Sequence, residues 1–297
     1  MIFFSVIIPT YNRAHLITET IESVLAQTYP HFEVIIVDDG STDSTKNVIW
    51  NRYGQEGRIK YFYKQNEERG AARNFGLKQS AGDYAVFFDS DDWMMPDYLT
   101  TLKKIIDKNP GIHMLATRYN YNNNGKIEIH PDLQNLTEGW HDRSFFLKGN
   151  ILACNFCIKA KNSFYLPFPE ERELVTMEDW LFLLANLQTK KIFISKEVCV
   201  SMRQHDERSM MNNQKVIKAR KKATEWIIQN INLSTSEKKQ LKAWSYYFCG
   251  VHQYLDHKRR AAIKEILSAI KITGINKKFL LLILKSMIGR KIIARLK

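Results

Sequence analysis

Hydrophobic residues in the first hundred positions follow two alternating periods, and this alternation predicts an α/β fold. Short, nearly continuous apolar runs are typical of buried strands, whereas an apolar residue every three or four positions is typical of helices. The predicted strands cover 5–9, 32–37, 59–63 and 84–88, and the predicted helices cover 14–28, 42–53, 71–79 and 96–108. Strands and helices in this order form a doubly wound, mostly parallel sheet flanked by helices. A ligand of such a sheet binds outside the carboxyl ends of the strands.

Beyond residue 109 the pattern is less regular, and it then becomes wholly helical. The predicted elements there are a loop at 120–126, strands within 145–159 and 192–202, and a helix at 180–187. From about residue 215 every apolar pattern is helical. We therefore expect an α/β domain over 1–215, followed by a helical appendage over 216–297.

Composition places the chain among folded globular proteins, since 44% of its residues are hydrophobic and 25% are charged. The net charge of +13 is concentrated at the C-terminus, where residues 258–297 hold twelve Lys or Arg and one acid, Glu265. Such a local basic region predicts one electrostatic contact rather than a nucleic-acid groove along the chain. Four cysteines are too few for a disulfide framework, and Cys154 and Cys157 have no second pair at zinc spacing. Buried thiols in a reducing, cytoplasmic compartment are expected.

No segment predicts a transmembrane helix. The apolar run at 279–284 reaches only six residues, whereas a bilayer requires roughly 18. The N-terminus lacks the basic region of a signal peptide and is typical of a strand. Within 258–272, however, apolar residues share one helical face that has basic residues beside it, which predicts an interfacial helix on an anionic membrane. A solvated basic helix is the alternative. The apolar residues are Ala262, Ile263, Ile266, Leu267 and Ile270, and the basic residues are Arg260, Lys264 and Lys271.

Two acidic clusters follow predicted strands at the expected ligand edge. The first is Val-Asp-Asp-Gly-Ser-Thr-Asp at 37–43, in which Asp38 and Asp39 can accept from a ribose hydroxyl or a base N–H. Helix capping by Ser41 and Asp43 is the alternative, but capping requires neither Asp38 nor Asp39.

The second cluster places Asp89, Asp91 and Asp92 directly after a strand. Like charges so close repel one another unless a cation or several donors compensate them. Oxygen ligands at a strand end suit Mg²⁺ or Mn²⁺ shared with substrate phosphates. A solvated acidic turn is the alternative.

A third acidic pair, Glu178 and Asp179, opens an apolar helix. Acids in the first turn of a helix are favoured by the helix dipole whatever their function, so a catalytic role and a helix start both remain open. Trp93 and Trp180 flank two of the acidic clusters. Each could stack on a sugar or belong to the core.

Five segments together resemble glycosyltransferase family 2 in their order and spacing. They are Ser-Val-Ile-Ile-Pro-Thr-Tyr-Asn at 5–12, the Val-Asp-Asp-Gly-Ser-Thr-Asp run, Arg-Gly-Ala-Ala-Arg-Asn-Phe-Gly at 69–76, Asp89-Ser90-Asp91, and Glu178-Asp179. Members of that family are inverting, nucleotide-sugar-dependent enzymes with the Rossmann-like GT-A fold. The resemblance covers residues 3 to about 210 and leaves the tail undescribed.

The resemblance implies a role for each matching residue. Its nucleotide-sugar site would comprise Pro9, Thr10, Tyr11, Asp38, Asp39, Arg73, Asp89 and Ser90. Tyr11 would stack on the nucleobase, and Asp39 would accept from a uracil-type N3–H while Asp38 supports its loop. Arg73 would face the nucleotide, and Asp89 would touch the ribose.

The resemblance also implies a metal and a base. Asp91 would bind the divalent cation, Mn²⁺ or Mg²⁺, that bridges the diphosphate. His205 in Arg-Gln-His at 203–205 would join the diphosphate or the metal, although a solvated His is the alternative. Asp179 would be the general base, with Glu178 as its neighbour. The usual Gly-rich stretch before the base is replaced by 167–175, so the acceptor loop is expected to differ.

The implied function is transfer of one sugar from a nucleotide-diphosphate sugar to a hydroxyl of a glycan or lipid-linked glycan. UDP-sugar is the default donor, with dTDP- and GDP-sugars as alternatives. Residues 1–110 would form the nucleotide-binding half and 111–215 the acceptor half, in an enzyme bound peripherally to the inner membrane face. An inactive nucleotide-sugar-binding module is the runner-up. Nucleic-acid binding by the tail is disfavoured, because its basic residues lack interleaved stacking aromatics.

Overall fold

The computed structural model describes residues 1–123, 125–161, 163–205, 210 and 212–289, and these form two compact units. The sheet unit comprises residues 1–142, 151–172 and 189–205. The helical unit comprises 143–150, 173–188 and the described part of 206–297. Whereas the sequence placed a boundary near residue 215, this division groups 173–188 with the C-terminal helices.

The sheet unit is built on one mixed, mostly parallel sheet of ten strands, as predicted. The strands are β1 (Phe4–Thr10), β2 (Phe32–Asp38), β3 (Ile59–Tyr63), β4 (Tyr84–Phe87), β5 (Trp93–Met94), β6 (Met114–Asn123), β7 (Lys126–Glu128), β8 (Gly139–His141), β9 (Phe156–Lys159) and β10 (Ile192–Arg203). Their order is β3-β2-β1-β4-β9-β6-β10-β5, with β7 on β6 and β8 on β10. The first four strands of this path are parallel, and so are β6 and β10, whereas β9 is antiparallel to both neighbours.

Every residue of β1 and β2 is buried, which explains why both strands are nearly continuous apolar runs. The helices of this unit are α1 (Ile17–Leu25), α2 (Thr45–Tyr53), α3 (Glu68–Gln79), α4 (Tyr98–Lys108) and α5 (Pro131–Gln134). Four of the five were predicted, with ends that differ by a few residues. The short α5 was not predicted, because one helical turn carries no periodic pattern.

Two predictions beyond residue 109 are only partly right. The expected turn or loop at 120–126 is reduced to a turn at Gly125, because the rest is the end of β6 and the start of β7, which pair as a hairpin. β10 pairs with this part of β6 and satisfies the side chain of Asn120, because the Ser201 hydroxyl donates to Asn120 Oδ1 over 2.8 Å. Within 145–159 only β9 is a strand, and the aromatic residues before it belong to a helical turn.

The helical unit contains α6 (Arg143–Phe146), α7 (Glu178–Asn186), α8 (Asn213–Asn230), α9 (Thr235–Leu255), α10 (Arg259–Thr273) and α11 (Lys277–Ile288). A capping box starts α9: Ser234 Oγ accepts from the Glu237 amide, and the Glu237 carboxylate accepts from the Ser234 amide. α9 packs on α8, α10 and α11, and its Ala243 shares a core with residues of α10 and α11.

The expected interfacial face of 258–272 lies partly in that core. Ala262 and Ile266 of this face are fully buried and Ile270 packs against the core, whereas Leu267 is 47% exposed. A Cβ at Gly250 of α9 would lie 2.7 Å from Ile266 Cδ1, so glycine permits the close approach of α9 and α10. The apolar stripe of α10 was read correctly, but its partner is another helix.

Among the described residues no helix has the length and apolarity needed to cross a bilayer. All four cysteines are buried free thiols, as predicted.

Candidate active site

The carboxyl ends of β1, β2 and β4 lie side by side, because β1 sits between the other two and runs parallel to both. The chain reverses its winding direction here, since β2 and β3 extend from one side of β1 and β4 lies on the other. Ligands of open α/β sheets bind at such a point. Thr10, Asp38 and the residues after Phe87 emerge at this edge.

Asn12 fastens the loop after β1 to the loop after β2. Its backbone is left-handed, with φ +51°. Its amide N–H donates to Ser41 Oγ over 2.9 Å, and its Oδ1 accepts from the Thr42 and Asp43 amides over 2.8 and 3.3 Å. The first two resemblance segments are therefore held together by hydrogen bonds.

Asp43 caps the start of α2, so the capping alternative holds for this residue. Its Oδ1 accepts from the Thr45 amide over 2.9 Å, and its Oδ2 accepts from the Ala14 amide over 3.1 Å. Burial alone would raise the pKa of Asp43, but the hydrogen bonds from Thr45 and Ala14 outweigh it and lower the pKa.

Asp38 and Asp39 do not cap a helix. Asp38 is fully buried, and it accepts from the Ser41 amide over 2.8 Å and from the Tyr61 hydroxyl over 2.6 Å. Burial and the Asp38 carboxylate raise the pKa of Tyr61, which keeps that hydroxyl a donor. Asp38 thus holds the shape of its loop.

Asp39 links β1, β2 and the segment before α3. Its amide donates to the Thr10 carbonyl over 2.8 Å, and its Oδ1 accepts from Lys64 Nζ over 2.9 Å and from the Glu67 amide over 3.0 Å. Gly40 follows at φ +81°, where a Cβ would lie 2.8 Å from the Asn66 amide nitrogen. Glycine is required for this turn. Lys64 and Tyr61 were not singled out in the sequence, because each lies in or beside an ordinary strand.

Pro9, Thr10 and Tyr11 end β1 at the same edge. Pro9 and Thr10 are buried, whereas Tyr11 is 46% exposed. Thr10 Oγ1 is buried and finds no hydrogen-bond partner among the described residues. An exposed aromatic ring beside a buried hydroxyl offers one stacking and one polar contact to a ligand.

The three carboxylates of Asp89, Asp91 and Asp92 each offer an oxygen within 4.8 Å of the others. Each has a donor from elsewhere in the sheet unit. Arg73 Nη2 donates to Asp89 over 2.7 Å, His205 Nε2 lies 3.0 Å from Asp91 Oδ2, and the Arg203 amide donates to Asp92 over 3.0 Å. These donors offset the mutual repulsion of the carboxylates. Arg13 Nε adds a cation 3.9 Å from Asp91.

The residues around Asp91 fit a divalent cation. Asp89 and Asp91 are partly exposed, whereas Asp92 is buried and engaged with the main chain. His205 Nδ1 is buried and has no hydrogen-bond partner among the described residues. The carboxylate oxygens suit Mg²⁺ or Mn²⁺, and an imidazole nitrogen lies 3.0 Å from Asp91. Ser90 is buried between the acids, and its carbonyl accepts from Thr20 Oγ1.

Arg73 has a different contact from the one predicted. It is 1% exposed, so it cannot face a nucleotide, and its guanidinium holds Asp89 instead. The guanidinium also lies over the Phe168 ring, with Cζ 5.5 Å from the ring centroid. Arg73 therefore fixes the position of the Asp89 carboxylate.

Asn74 holds the segment that covers Arg73. Its Oδ1 accepts from the Phe168 amide over 2.9 Å, and its Nδ2 donates to the Phe168 carbonyl over 2.9 Å and to Glu170 Oε1 over 2.7 Å. Phe168 and Glu170 lie in the stretch that departs from the family pattern. No sequence signal linked them to α3, because 94 residues separate the partners.

In the helical unit, Asp179 lies in the first turn of α7 and is partly exposed, whereas Glu178 is buried. Asp179 Oδ1 accepts from the Trp180 amide over 2.7 Å, and Oδ2 accepts from Asn150 Nδ2 over 2.8 Å. Thr176, just before the helix, has φ +82°. A β-branched residue rarely adopts this conformation, which costs on the order of 1–3 kcal/mol. A strained turn and Asn150 thus set the orientation of the Asp179 carboxylate.

Trp180 belongs to the core, the second of its two alternatives, and it is too buried to stack on a sugar. It is 1% exposed, and its Nε1 donates to the Phe146 carbonyl over 2.7 Å. The guanidinium carbon of Arg220 lies 3.6 Å from its ring centroid. Burial lowers the pKa of Arg220 to about 9. Trp93 remains partly exposed, with the Arg203 guanidinium 4.3 Å from its ring centroid.

Comparison with known proteins finds the family that the sequence segments resemble. The family described as Glycosyl transferase family 2 matches residues 5–164. A glycosyltransferase of Rickettsia bellii is 30% identical over 234 residues, which is 77% of this chain and 33% of that protein. The GalNAc(5)-diNAcBac-PP-undecaprenol beta-1,3-glucosyltransferase of Campylobacter jejuni is 41% identical over 100 residues, 33% of this chain and 32% of the enzyme. The matches cover 20% to 33% of the first three curated relatives.

Solved structures share the fold. S. aureus TarS 1-349, solved in complex with UDP-GlcNAc, superposes with a TM-score of 0.68 at 22% identity, covering 95% of this chain and 84% of that one. The mannosyltransferase PcManGT from Pyrobaculum calidifontis, solved with GDP-Man and Mn²⁺, gives 0.60 at 18% identity, covering 96% and 79%. The GT-A fold is therefore confirmed.

Replacing Asn74 with Ala should loosen the segment over Arg73. The Phe168 amide and carbonyl would lose their partners, so we expect the free energy of unfolding to fall by about 2–4 kcal/mol. Urea denaturation measures this change, and hydrogen exchange should show lost protection of the Phe168 amide. Gln79→Ala, at an exposed site of the same helix, is the control. Unchanged protection in the Asn74 variant would contradict this account.

Proposed function

The chain belongs to glycosyl transferase family 2, and on that premise we propose that it transfers one sugar, with inversion, from a nucleotide-diphosphate sugar to an acceptor hydroxyl. The observation that carries this proposal is the edge of the sheet unit. There Tyr11, Asp39, Asp89 and Asp91 come from three different strand ends, and His205 lies 3.0 Å from Asp91. A stacking ring, hydrogen-bond acceptors and a cation site are the contacts that such a donor requires.

The donor is a UDP-sugar in this proposal. Tyr11 stacks on the base, and Asp39 accepts from the N3–H of uracil. Asp39 Oδ1 is occupied by Lys64 and Glu67, which leaves Oδ2 for the base. Asp89, fixed by Arg73, accepts from a ribose hydroxyl. The UDP-GlcNAc complex of TarS supports a uridine donor, whereas the GDP-Man complex of PcManGT supports GDP as the alternative.

Asp91 and His205 would hold a divalent cation, Mn²⁺ or Mg²⁺. Bound there, the cation stabilises the negative charge of the departing diphosphate. Asp91 is suited to this role because its carboxylate is partly exposed and lies within 4.8 Å of oxygens of Asp89 and Asp92. The contacts with His205 over 3.0 Å and with Arg13 over 3.9 Å orient the Asp91 carboxylate.

Asp179 is the general base of the proposed reaction. An acceptor hydroxyl must lose its proton as it attacks the anomeric carbon, and a positioned carboxylate accelerates such a step by ~10²–10⁴-fold. Asn150 and the Trp180 amide orient the carboxylate. Glu178 is buried beside it and is assigned a supporting role. No covalent nucleophile is needed, because a single displacement inverts the anomeric centre.

The acceptor in this proposal is a glycan carried on a lipid, which places the enzyme on the inner face of a membrane during polysaccharide synthesis. The Campylobacter jejuni relative, a GalNAc(5)-diNAcBac-PP-undecaprenol beta-1,3-glucosyltransferase, supports such an acceptor. The charge of the C-terminal helices supports an anionic membrane surface as a further partner.

Replacing Asp91 with Asn should abolish transfer and weaken Mn²⁺-dependent UDP binding by at least about tenfold, because a neutral amide is a poor ligand for a divalent cation. Isothermal calorimetry of UDP with and without Mn²⁺ measures this loss. Asp107→Asn, at an exposed carboxylate near the end of α4, is the control. Unchanged Mn²⁺-dependent affinity in the Asp91 variant would remove the metal assignment.

Replacing Asp179 with Asn should leave UDP-sugar affinity near that of the wild type while lowering turnover by ~10²-fold or more. The amide keeps the shape of the side chain and can still accept from the Trp180 amide, so stability should change little. Release of UDP from the donor measures turnover. Glu178→Gln is the matched variant, for which we expect a smaller loss.

The two variants and the wild type together distinguish three other interpretations. If only the Glu178 variant is inactive, the base is assigned to the wrong carboxylate. If both variants turn over normally, the acidic pair is only a helix start. If the wild type binds UDP-sugar but never releases UDP, the chain is an inactive nucleotide-sugar-binding module.

A further inference from the structure

Helix α11 packs on the helical unit through one narrow face. Phe279, Leu282 and Ser286 are buried, at spacings of three and four residues that place them on one side of the helix. Phe279 lies against Trp244 and Tyr247 of α9, with ring centroids 5.5 Å apart in both pairs. Among the described residues, this face and the adjacent Ile283 pack α11 on the core that it shares with α9 and α10.

The opposite face of α11 is also apolar, but it is exposed. At about 100° per residue, its side chains are centred on the side of the helix away from Phe279. They are Leu280, Leu281, Leu284, Met287 and Ile288, with Ile275 just before the helix, and each is 44% to 74% exposed. We call these six residues the outer face of α11. A contiguous apolar patch of this kind indicates a binding surface.

Basic residues lie beside the outer face. Lys278 and Lys285 lie seven residues apart, on one flank of the helix, and Lys277 begins it. From residue 266 to the end of the sequence there are eight Lys or Arg and no acid. The partner of this surface must therefore be apolar and negatively charged at the same time.

A second copy of the chain satisfies only half of this requirement. Pairing two outer faces would bury their leucines, but it would bring two sets of lysines with no local acids together. An anionic bilayer satisfies both halves, since its acyl chains accept the apolar side chains and its headgroups attract the lysines.

We propose that the outer face of α11 inserts into the interface of an anionic phospholipid membrane, flanked by Lys277, Lys278 and Lys285. This inference rests on the proposed function, in which the acceptor is a glycan carried on a membrane lipid. It replaces α10 as the membrane-binding helix, because the apolar stripe of α10 lies in the core of the helical unit.

Vesicle co-sedimentation of the full chain tests the proposal. The key variant carries Leu281→Ser, Leu284→Ser and Met287→Ser, three exposed changes that leave the buried face intact. The matched control carries Trp50→Ser, Ile127→Ser and Phe164→Ser, which remove three comparably exposed apolar side chains from the sheet unit. A charge variant, Lys278→Gln with Lys285→Gln, tests the basic flank.

We expect the wild type and the control to bind vesicles that contain phosphatidylglycerol and to bind pure phosphatidylcholine weakly. Binding by the key variant should fall by at least about tenfold, and the charge variant should lose part of the salt sensitivity, since it removes two of the eight basic residues. Equal binding by the key variant would overturn the proposal. So would a wild type that ignores anionic vesicles but self-associates through the outer face, as light scattering would show.

Thermal stabilisation by UDP with Mn²⁺, measured on the same proteins, separates this inference from the proposed function. The key variant should retain it. Loss of vesicle binding by the key variant, in a chain that UDP does not stabilise, would refute the nucleotide site and leave the membrane surface in place.

Discussion

The candidate site depends on one electrostatic constraint. Just after β4, the carboxylates of Asp89, Asp91 and Asp92 each place an oxygen within 4.8 Å of the other two. Such a cluster is stable only if positive charge or N–H donors reach every member. The fold brings these from distant parts of the chain, with Arg73 from α3 and Arg203 and His205 from the end of β10. The long, bulged β10 beside β6 and the buried arginine of α3 both serve this cluster. The cluster therefore forms only when the whole sheet unit is folded.

The compensation is unequal, and this inequality divides the roles of the acids. Asp92 is buried and fixed by a main-chain amide, so it is structural. Asp89 is tied through one oxygen to a buried arginine, and we propose that its other oxygen meets the ligand. Asp91 contacts His205 Nε2 over 3.0 Å and lies 3.9 Å from Arg13 Nε, and we propose it as the cation ligand. The neighbouring loops are held together by hydrogen bonds, because Asp38 and Asn12 accept from the amides of the turn after β2.

Local sequence predicted the sheet and its edge well, because β1 and β2 are buried throughout and apolar runs report that burial directly. Local sequence patterns could not predict contacts between residues that lie far apart along the chain. Arg73 was expected at the nucleotide, since nothing in its own segment shows that Asp89 lies within reach. The same limit applies in the helical unit. Periodicity showed that α10 has an apolar stripe, but it did not show that α9 packs against that stripe. Nothing in the sequence around Trp180 indicated that Arg220 packs on its ring.

The central claim is that the edge formed by β1, β2 and β4 binds a nucleoside diphosphate together with a divalent cation. Anomalous diffraction from crystals grown with UDP and Mn²⁺ tests it most directly. The account predicts a single manganese peak within coordination distance of Asp91 and His205, with the uracil ring against Tyr11. A manganese peak elsewhere, or UDP bound at this edge with no cation beside Asp91, would contradict it.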